Sequence, residues 1–156
     1  MLFRSSLAAA VINAKYVNAI PLNRFSEEME RQRDVRISRQ TLAHWMIKLS
    51  DLYFSRICEK MHEKLLLSRL IHCDETPFKV VHDGRSPNAK SYMWVYHTTE
   101  QFGVPPIYLY DYQKTRKNDH PREFLAGYRG ILVTDGYQVY HTLQKERPED
   151  LRVAGC

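Results

Sequence analysis

The chain has 156 residues, a length that suits one domain or two small modules and is ample for a packed core without disulfide staples. Apolar residues make up 44% and charged residues 26%, which excludes a disordered tail and a fibrous repeat. The formal net charge of +5 permits a polyanionic partner without demanding one.

Glycine and proline divide the chain. All six glycines lie beyond residue 83 and six of the seven prolines beyond residue 76, so the first half is expected to be helical and the second to hold strands and turns. Leu7, Ala10, Val11, Ala14 and Val17 fall on one helical face, with Ser5 or Ser6 placed as the cap and Pro21 as the stop. A second helix is expected from Pro21 or Leu22 to Arg33, since proline suits a first helical turn. A third begins near Ser38 and carries Leu42, Trp45, Met46, Leu49, Leu52, Tyr53, Ile57, Met61 and Leu65 at three- and four-residue spacings. That pattern predicts one long amphipathic helix, or two nearly in line.

Leu70 to Cys73 is an apolar run that ends in Asp74, Glu75 and Thr76, and Phe78 to Val81 is read as its continuation past a break at Pro77. His82 to Asn88 reads as a turn. Tyr92 to Thr98 and Ile107 to Tyr112 are rich in aromatic and β-branched residues and predict two further strands. Asn118 or Asp119, followed by Pro121, opens a short helix ending near Gly127. Ile131 to Thr134, between Gly130 and Gly136, is a continuous apolar run of the kind found in a buried parallel strand. A helix over about Gln138 to Lys145 and a strand beginning at Leu151 complete the order.

Cys58, Cys73 and Cys156 are odd in number and form no Cys-x-x-Cys pair, which argues against a disulfide framework and a zinc site. A reducing, cytoplasmic setting fits best. The longest apolar run, Leu7 to Ile12, is far below the roughly 18 residues of a membrane span, and no targeting segment is evident.

Two carboxylates stand where apolar runs end: Asp74 and Asp135. If the two runs are neighbouring parallel strands, these acids meet at one edge of the sheet. Adjacent carboxylates repel unless a cation lies between them, so the pair would suit Mg²⁺ or Mn²⁺, both takers of oxygen ligands. The plain alternative is a strand-end acid and an Asp-Gly turn. Glu75, adjacent to Asp74, should point to the opposite face and play a supporting part. His72 shares the face of Asp74, where it is either a contact to phosphate or metal or simply packed.

Arg24, Arg31, Arg33, Arg36 and Arg39 gather about the turn between the second and third helices, a stretch with the length of a helix-turn-helix, although Glu27, Glu28, Glu30 and Asp34 offset them. Residues 1–68 hold 11 basic and 7 acidic side chains, residues 69–156 hold 12 and 11, so the basic excess lies in the helical half. A second basic cluster, Lys114, Arg116, Lys117 and Arg122, follows Tyr108, Tyr110 and Tyr112. It is either a track for a DNA backbone or a soluble loop over aromatic core residues.

The segments His72-Cys73-Asp74-Glu75-Thr76-Pro77, Tyr92-Met93-Trp94-Val95-Tyr96, Thr134-Asp135-Gly136-Tyr137-Gln138-Val139-Tyr140 and Val153-Ala154-Gly155-Cys156 resemble the central part of the insertion sequence 66 transposases. Ser6-Leu7-Ala8, Lys15-Tyr16, Ile20 to Arg24 and Ile37 to Trp45 resemble the helical region ahead of that family's catalytic core. The likeness runs the length of the chain in the right order. It implies an α/β fold: a helical region over residues 1–68, then a truncated ribonuclease H-like mixed sheet with flanking helices over 69–156. It further implies a metal-dependent DNA transposase with an Asp, Asp, Glu triad, in which Asp74 and Asp135 match the first two acids and bind Mg²⁺ or Mn²⁺. The implied partners are transposon ends and target DNA, with no membrane and with room for a homo-oligomer; the candidate DNA contacts, from the basic clusters above, are Arg31, Arg33, Arg36, Arg39, Lys114, Arg116 and Lys117. The family's third acid lies downstream of the Gly-Cys motif, beyond Cys156, so the expectation is an internal piece of a transposase with little activity alone. Glu146, Glu149 and Asp150 fall too early and in a charged stretch that reads as a loop. A non-catalytic DNA-binding or regulatory remnant is the alternative.

Overall fold

A computed structural model describes residues 5–80, 84–86, 88–100 and 105–155. It divides the chain into two compact units, residues 1–57 and 58–156. Among the described residues no helix is long and apolar enough to cross a membrane.

The first unit is helical. Helix α1 (Ser5–Ile12) runs into a π-helical turn over Asn13–Val17, and α2 spans Leu22–Arg33 behind Pro21. Helix α2 closes at Asp34 in the left-handed conformation, where the Val35 N–H donates to Met29 O at 3.2 Å, a ladder ending that satisfies the last carbonyls. Helix α3 (Arg39–Leu49) starts at Ser38, whose hydroxyl accepts from the Thr41 N–H at 3.1 Å, the expected cap geometry. Val11, Ala14, Phe25, Leu42 and Trp45 form the core, with Leu7, Leu22, Met29 and Met46 packed around it.

Two expectations for this half are corrected. Ala8, not Ala10, is buried with Val11 and Ala14, and Val17 is exposed. The π-helical turn adds residues per turn and carries Val17 off the inward stripe. The long stripe after Ser38 is also interrupted: a second π-helical turn spans Ser50–Phe54 before α4 (Ser55–Leu66), and Leu52, Tyr53 and Ile57 are all more than half exposed. A 3.6-residue pattern survives in sequence there, but the backbone does not keep that period.

The second unit is a five-stranded mixed sheet with helices. Its strands are β1 (Leu70–Phe78), β2 (Ser91–His97), β3 (Tyr108–Gln113), β4 (Gly130–Thr134) and β5 (Leu151–Gly155), in the order β3-β2-β1-β4-β5. Strands β1, β2 and β3 are mutually antiparallel, while β4 is parallel to β1 and β5 to β4. Helix α5 (Asp119–Phe124) precedes β4 and α6 (Gln138–Glu146) joins β4 to β5. Most strand and helix ends lie within a residue or two of their expected places, but α5 ends at Phe124 rather than near Gly127, and β1 ends at Phe78, with residues 79–80 outside the strand. A further difference is at Pro77: β1 continues through it without a break. Its pairing with β4 covers only Leu70 to His72, so at Pro77 the strand has β2 alone as a ladder partner and a missing N–H is tolerated. Val81 and most of the expected turn from His82 lie outside the described residues.

One face of the sheet is buried. Ile71, Cys73, Trp94, Tyr96, Leu109, Leu132 and Leu151 pack with Leu65, Leu125, Tyr128, Tyr140 and Leu143 from the helices and their connections. Phe124 stacks on Tyr96 with ring centroids 3.7 Å apart. Tyr128 closes the start of β4, donating its hydroxyl to Ile131 O at 3.0 Å. Gly130 is the residue this closure requires: a Cβ there would meet Tyr128 and lie 2.6 Å from the Arg69 carbonyl oxygen. Gly130→Ala is expected to destabilise the second unit by about 1–3 kcal/mol through overpacking, whereas Gly155→Ala, with nothing near its Cβ, should stay within about 0.5 kcal/mol. Urea unfolding of the two variants beside the parent checks the contrast.

Candidate active site

The site is built by period-two alternation on two adjacent parallel strands. Along β1, Ile71, Cys73 and Glu75 are buried while Asp74 is exposed; along β4, Leu132 and Thr134 are buried and Asp135 is exposed just past the strand end. His72 is register partner of Val133. Two residues further on each chain come Asp74 and Asp135, both exposed, just past the point where the β1–β4 ladder ends.

Each carboxylate is oriented by the backbone. Asp74 Oδ1 accepts from the Glu75 N–H at 2.8 Å. Asp135 Oδ1 accepts from the Tyr137 N–H at 3.2 Å, an Asx-type turn. Gly136 makes that turn with φ at +89°, a conformation that favours glycine, and lets the chain leave β4 directly for α6. Among the described residues neither Oδ2 has a protein partner. No group of three or more His, Cys, Asp or Glu side chains that could hold a metal occurs among the described residues.

Glu75 faces the other way, and its side chain is 1% exposed. The guanidinium of Arg116, from the loop between β3 and α5, donates to Glu75 Oε1 through Nε at 3.0 Å and through Nη2. Glu75 Oε2 has no partner among the described residues. Burial pushes the Glu75 carboxyl above the usual range, against the pull of Arg116; the nearby charges of Asp135 and Asp74 push the same way as burial. Bonding to Glu75 raises Arg116 in turn. The Arg116 guanidinium lies 3.8 Å from the centroid of the Tyr137 ring, and the Tyr137 hydroxyl donates to Arg116 O at 3.2 Å. The two acids are thus linked from behind: Asp135 to Tyr137, Tyr137 to Arg116, Arg116 to Glu75, and Glu75 to Asp74.

His72 stacks on His97 at 4.6 Å, and burial together with His97 lowers its pKa. The remaining expected residues are dispersed. Arg31, Arg33 and Arg39 are exposed about the α2–α3 connection, and Arg36 pairs with Glu30 at 2.9 Å. Lys114 and Lys117 are exposed beside Arg116. Glu146 ends α6 and pairs with Arg122 at 2.7 Å, while Asp150 meets Arg129 at 3.0 Å and Arg147 at 3.5 Å. Glu146 therefore belongs to a helix rather than the loop expected from its sequence. The Arg116–Glu75 pair escapes sequence reasoning because 41 residues separate its members; the only local sign is that Glu75 falls in phase with Ile71 and Cys73.

Removing Arg116 leaves a buried carboxylate without its counter-charge. Arg116→Ala should cost about 3 kcal/mol, and Glu75→Gln added to it should recover part of that loss by removing the stranded charge. Chemical denaturation of the two single variants and the double variant measures the coupling.

The model of the transposase IS66 family matches residues 1–156. Three proteins of Sinorhizobium fredii (strain NBRC 101917 / NGR234) are similar. Uncharacterized protein y4qI is 29% identical over 96% of this chain and 29% of its own length. Uncharacterized protein y4hP is 25% identical over 88% of this chain and 25% of its own, and uncharacterized protein y4jD is 23% identical over 97% and 31%. The chain therefore spans about three-tenths or less of the length of these curated relatives. No solved structure matches it. With the family model covering every residue, the chain belongs to the transposase IS66 family.

Proposed function

We propose that residues 69–156 are part of a ribonuclease H-like DNA-transposase core in which Asp74 and Asp135 share a divalent cation, Mg²⁺ or Mn²⁺. The observation that carries this reading is the parallel pairing of β1 and β4, whose pair His72 and Val133 stands two residues before each of the two acids. The strand order, with three antiparallel strands followed by two parallel to the first, supports the fold assignment. The residues fit a hard cation: both ligands are carboxylates on the solvent side, each fixed through one oxygen by a backbone N–H.

When bound, a pair of divalent cations at such a site would supply activation of the attacking oxygen and stabilisation of the leaving oxygen of a phosphodiester displacement. Asp74 and Asp135 would hold the metal, and Arg116 acts behind them as a positioning residue through Glu75 and Tyr137. In the intact transposase the products are a freed 3′-hydroxyl at the transposon end and then a joint to target DNA, in the cytoplasm. Among the described residues no third acid joins the pair, so this chain alone should bind the cation weakly and transfer strands little. Mn²⁺ titration of isotope-labelled chain should broaden the amide signals about residues 74 and 135 together, and Asp74→Asn should abolish the effect at both. Broadening at one segment only, or none in a folded protein, sinks the shared site.

Residues 1–68 are read as the DNA-positioning region, with α2 and α3 as a helix-turn-helix. The exposure of Arg31, Arg33 and Arg39 supports this, and it would also serve a non-catalytic regulatory protein. Arg39→Ala should weaken duplex binding alike for all sequences and lower the salt slope by about one. Asp74→Asn should leave that binding intact. Equal salt slopes for Arg39→Ala and the parent would remove Arg39 from the interface.

A further inference from the structure

We infer that the closed face of the second unit's sheet binds one ordered internal water, held by the carboxylate of Glu75 and the hydroxyls of Tyr96 and Tyr140. This goes beyond the reading above and does not rest on it.

Among the described residues four buried side-chain polar atoms have no hydrogen-bond partner: Glu75 Oε2, Trp94 Nε1, Tyr96 Oη and Tyr140 Oη. They belong to one neighbourhood. Glu75 and Trp94 are register partners on β1 and β2, and Cys73 and Tyr96 are the next pair on the same face. Tyr140, on α6, has its ring 6.4 Å from that of Trp94 and at 76° to it. Burial raises the pKa of both tyrosines; beyond burial, Cys73 and Glu75 push each of them the same way, and Tyr96 so acts on Tyr140. The carboxylate and the two hydroxyls therefore lie within one another's electrostatic reach, yet no two of them are hydrogen-bonded. A bridging water spans such a separation. Trp94, Tyr96 and Tyr140 are 0% exposed and the Glu75 side chain 1%, so this chain's own residues close the neighbourhood off.

The donor and acceptor set selects the ligand. Arg116 already meets the Glu75 charge through Oε1, which removes the need for a second cation at Oε2. Oε2 only accepts, the indole N–H only donates, and each hydroxyl does either. A small neutral molecule that both donates and accepts satisfies this mixture, giving one hydrogen to Oε2 and accepting from a hydroxyl. Water is that molecule, and polar pockets in a core hold it where apolar ones stay dry. Tyr128 supplies the contrast: it is buried in the same core, but its hydroxyl reaches a backbone carbonyl, Ile131 O. Phenylalanine would fill positions 96 and 140 with nearly the same ring and bring no hydroxyl out of water. A hydrogen bond to Oε2 favours the ionised carboxylate, so the water supports the charge that Arg116 pairs with.

The test is ¹⁷O relaxation dispersion of solvent water around the whole chain, which counts waters that stay inside longer than the protein tumbles and is blind to exchanging hydroxyl protons. Combining Tyr96→Phe with Tyr140→Phe should lower the count by about one. Both substitutions keep the rings that pack on Phe124 and Trp94. A crystal structure of the unmodified chain needs no variant to fold, and should show solvent density within hydrogen-bond distance of Glu75 Oε2 and both hydroxyls. An unchanged count in a folded double variant, a tyrosine bonded directly to Glu75, or no density between the three groups would each overturn the inference. Neither readout involves metal or DNA, so failure here leaves the shared-cation reading standing, and failure of that reading leaves this one.

Discussion

The pair between Arg116 and the buried carboxylate of Glu75 is the contact on which the arrangement of the site depends. A carboxylate removed from water is tolerated when a counter-charge and hydrogen bonds meet it, and here one guanidinium supplies both. To do so, the loop after β3 must lie against the back of β1. The same guanidinium rests on Tyr137, whose backbone N–H fixes Asp135. One side chain therefore ties three separate stretches of chain together behind the two acids. A hydrophobic residue at position 75 could fill the volume, but it would give Arg116 no reason to cross to β1. The turn after β4 would then lose the ring-to-guanidinium contact that holds it.

Much of this architecture was legible in sequence because it follows from short-range patterns. Apolar runs bounded by glycine marked β4, proline and Ser38 marked helix starts, and a strand-end position marked both Asp74 and Asp135. What could not be read depended on geometry that no local pattern encodes. The π-helical turns at Asn13–Val17 and Ser50–Phe54 leave the apolar spacing intact while rotating Val17, Leu52 and Tyr53 away from the inward stripe. Pro77 looked like a strand break since a central strand cannot spare an N–H, and only the short reach of β4 along β1 shows that the strand is no longer central there. The role of Arg116 was hidden for a related reason: in sequence it is one cation among Lys114, Lys117 and Arg122, and its distinction arises solely from what lies across the sheet.

Asp74 and Glu75 show how far neighbouring positions can diverge. They differ by one methylene and follow one another in the chain, yet β pleating sends one to solvent and the other into the core. Burial works against ionisation at Glu75 and calls for a fixed guanidinium. Asp74 keeps access to water, and its Oδ2 has no partner among the described residues. A shift of β1 by one residue would exchange these fates, placing the aspartate against the core and the glutamate beside Asp135. The register of β1 is held by Ile71 and Cys73 in the core and by the ladder with β2, so packing well away from the acids decides which carboxylate is offered to solvent.

The same alternation gives the two faces of the sheet different chemistry. On the closed face, Trp94, Tyr96 and Leu109 pack into the core cluster. On the open face the residues between them in β2 and β3 are His97, Val95, Tyr108 and Tyr110, in rows that lead to His72 and Asp74. Strands whose open face served only solubility would carry charged and small polar residues there. Tyr108 and Tyr110 are 51% and 67% exposed there, while Leu109 between them packs into the core. The column of His72, His97 and Tyr108 aligns that surface across three strands. The open face of these strands is therefore aromatic and ordered in rows, a pattern set by the same alternation that fills the closed face.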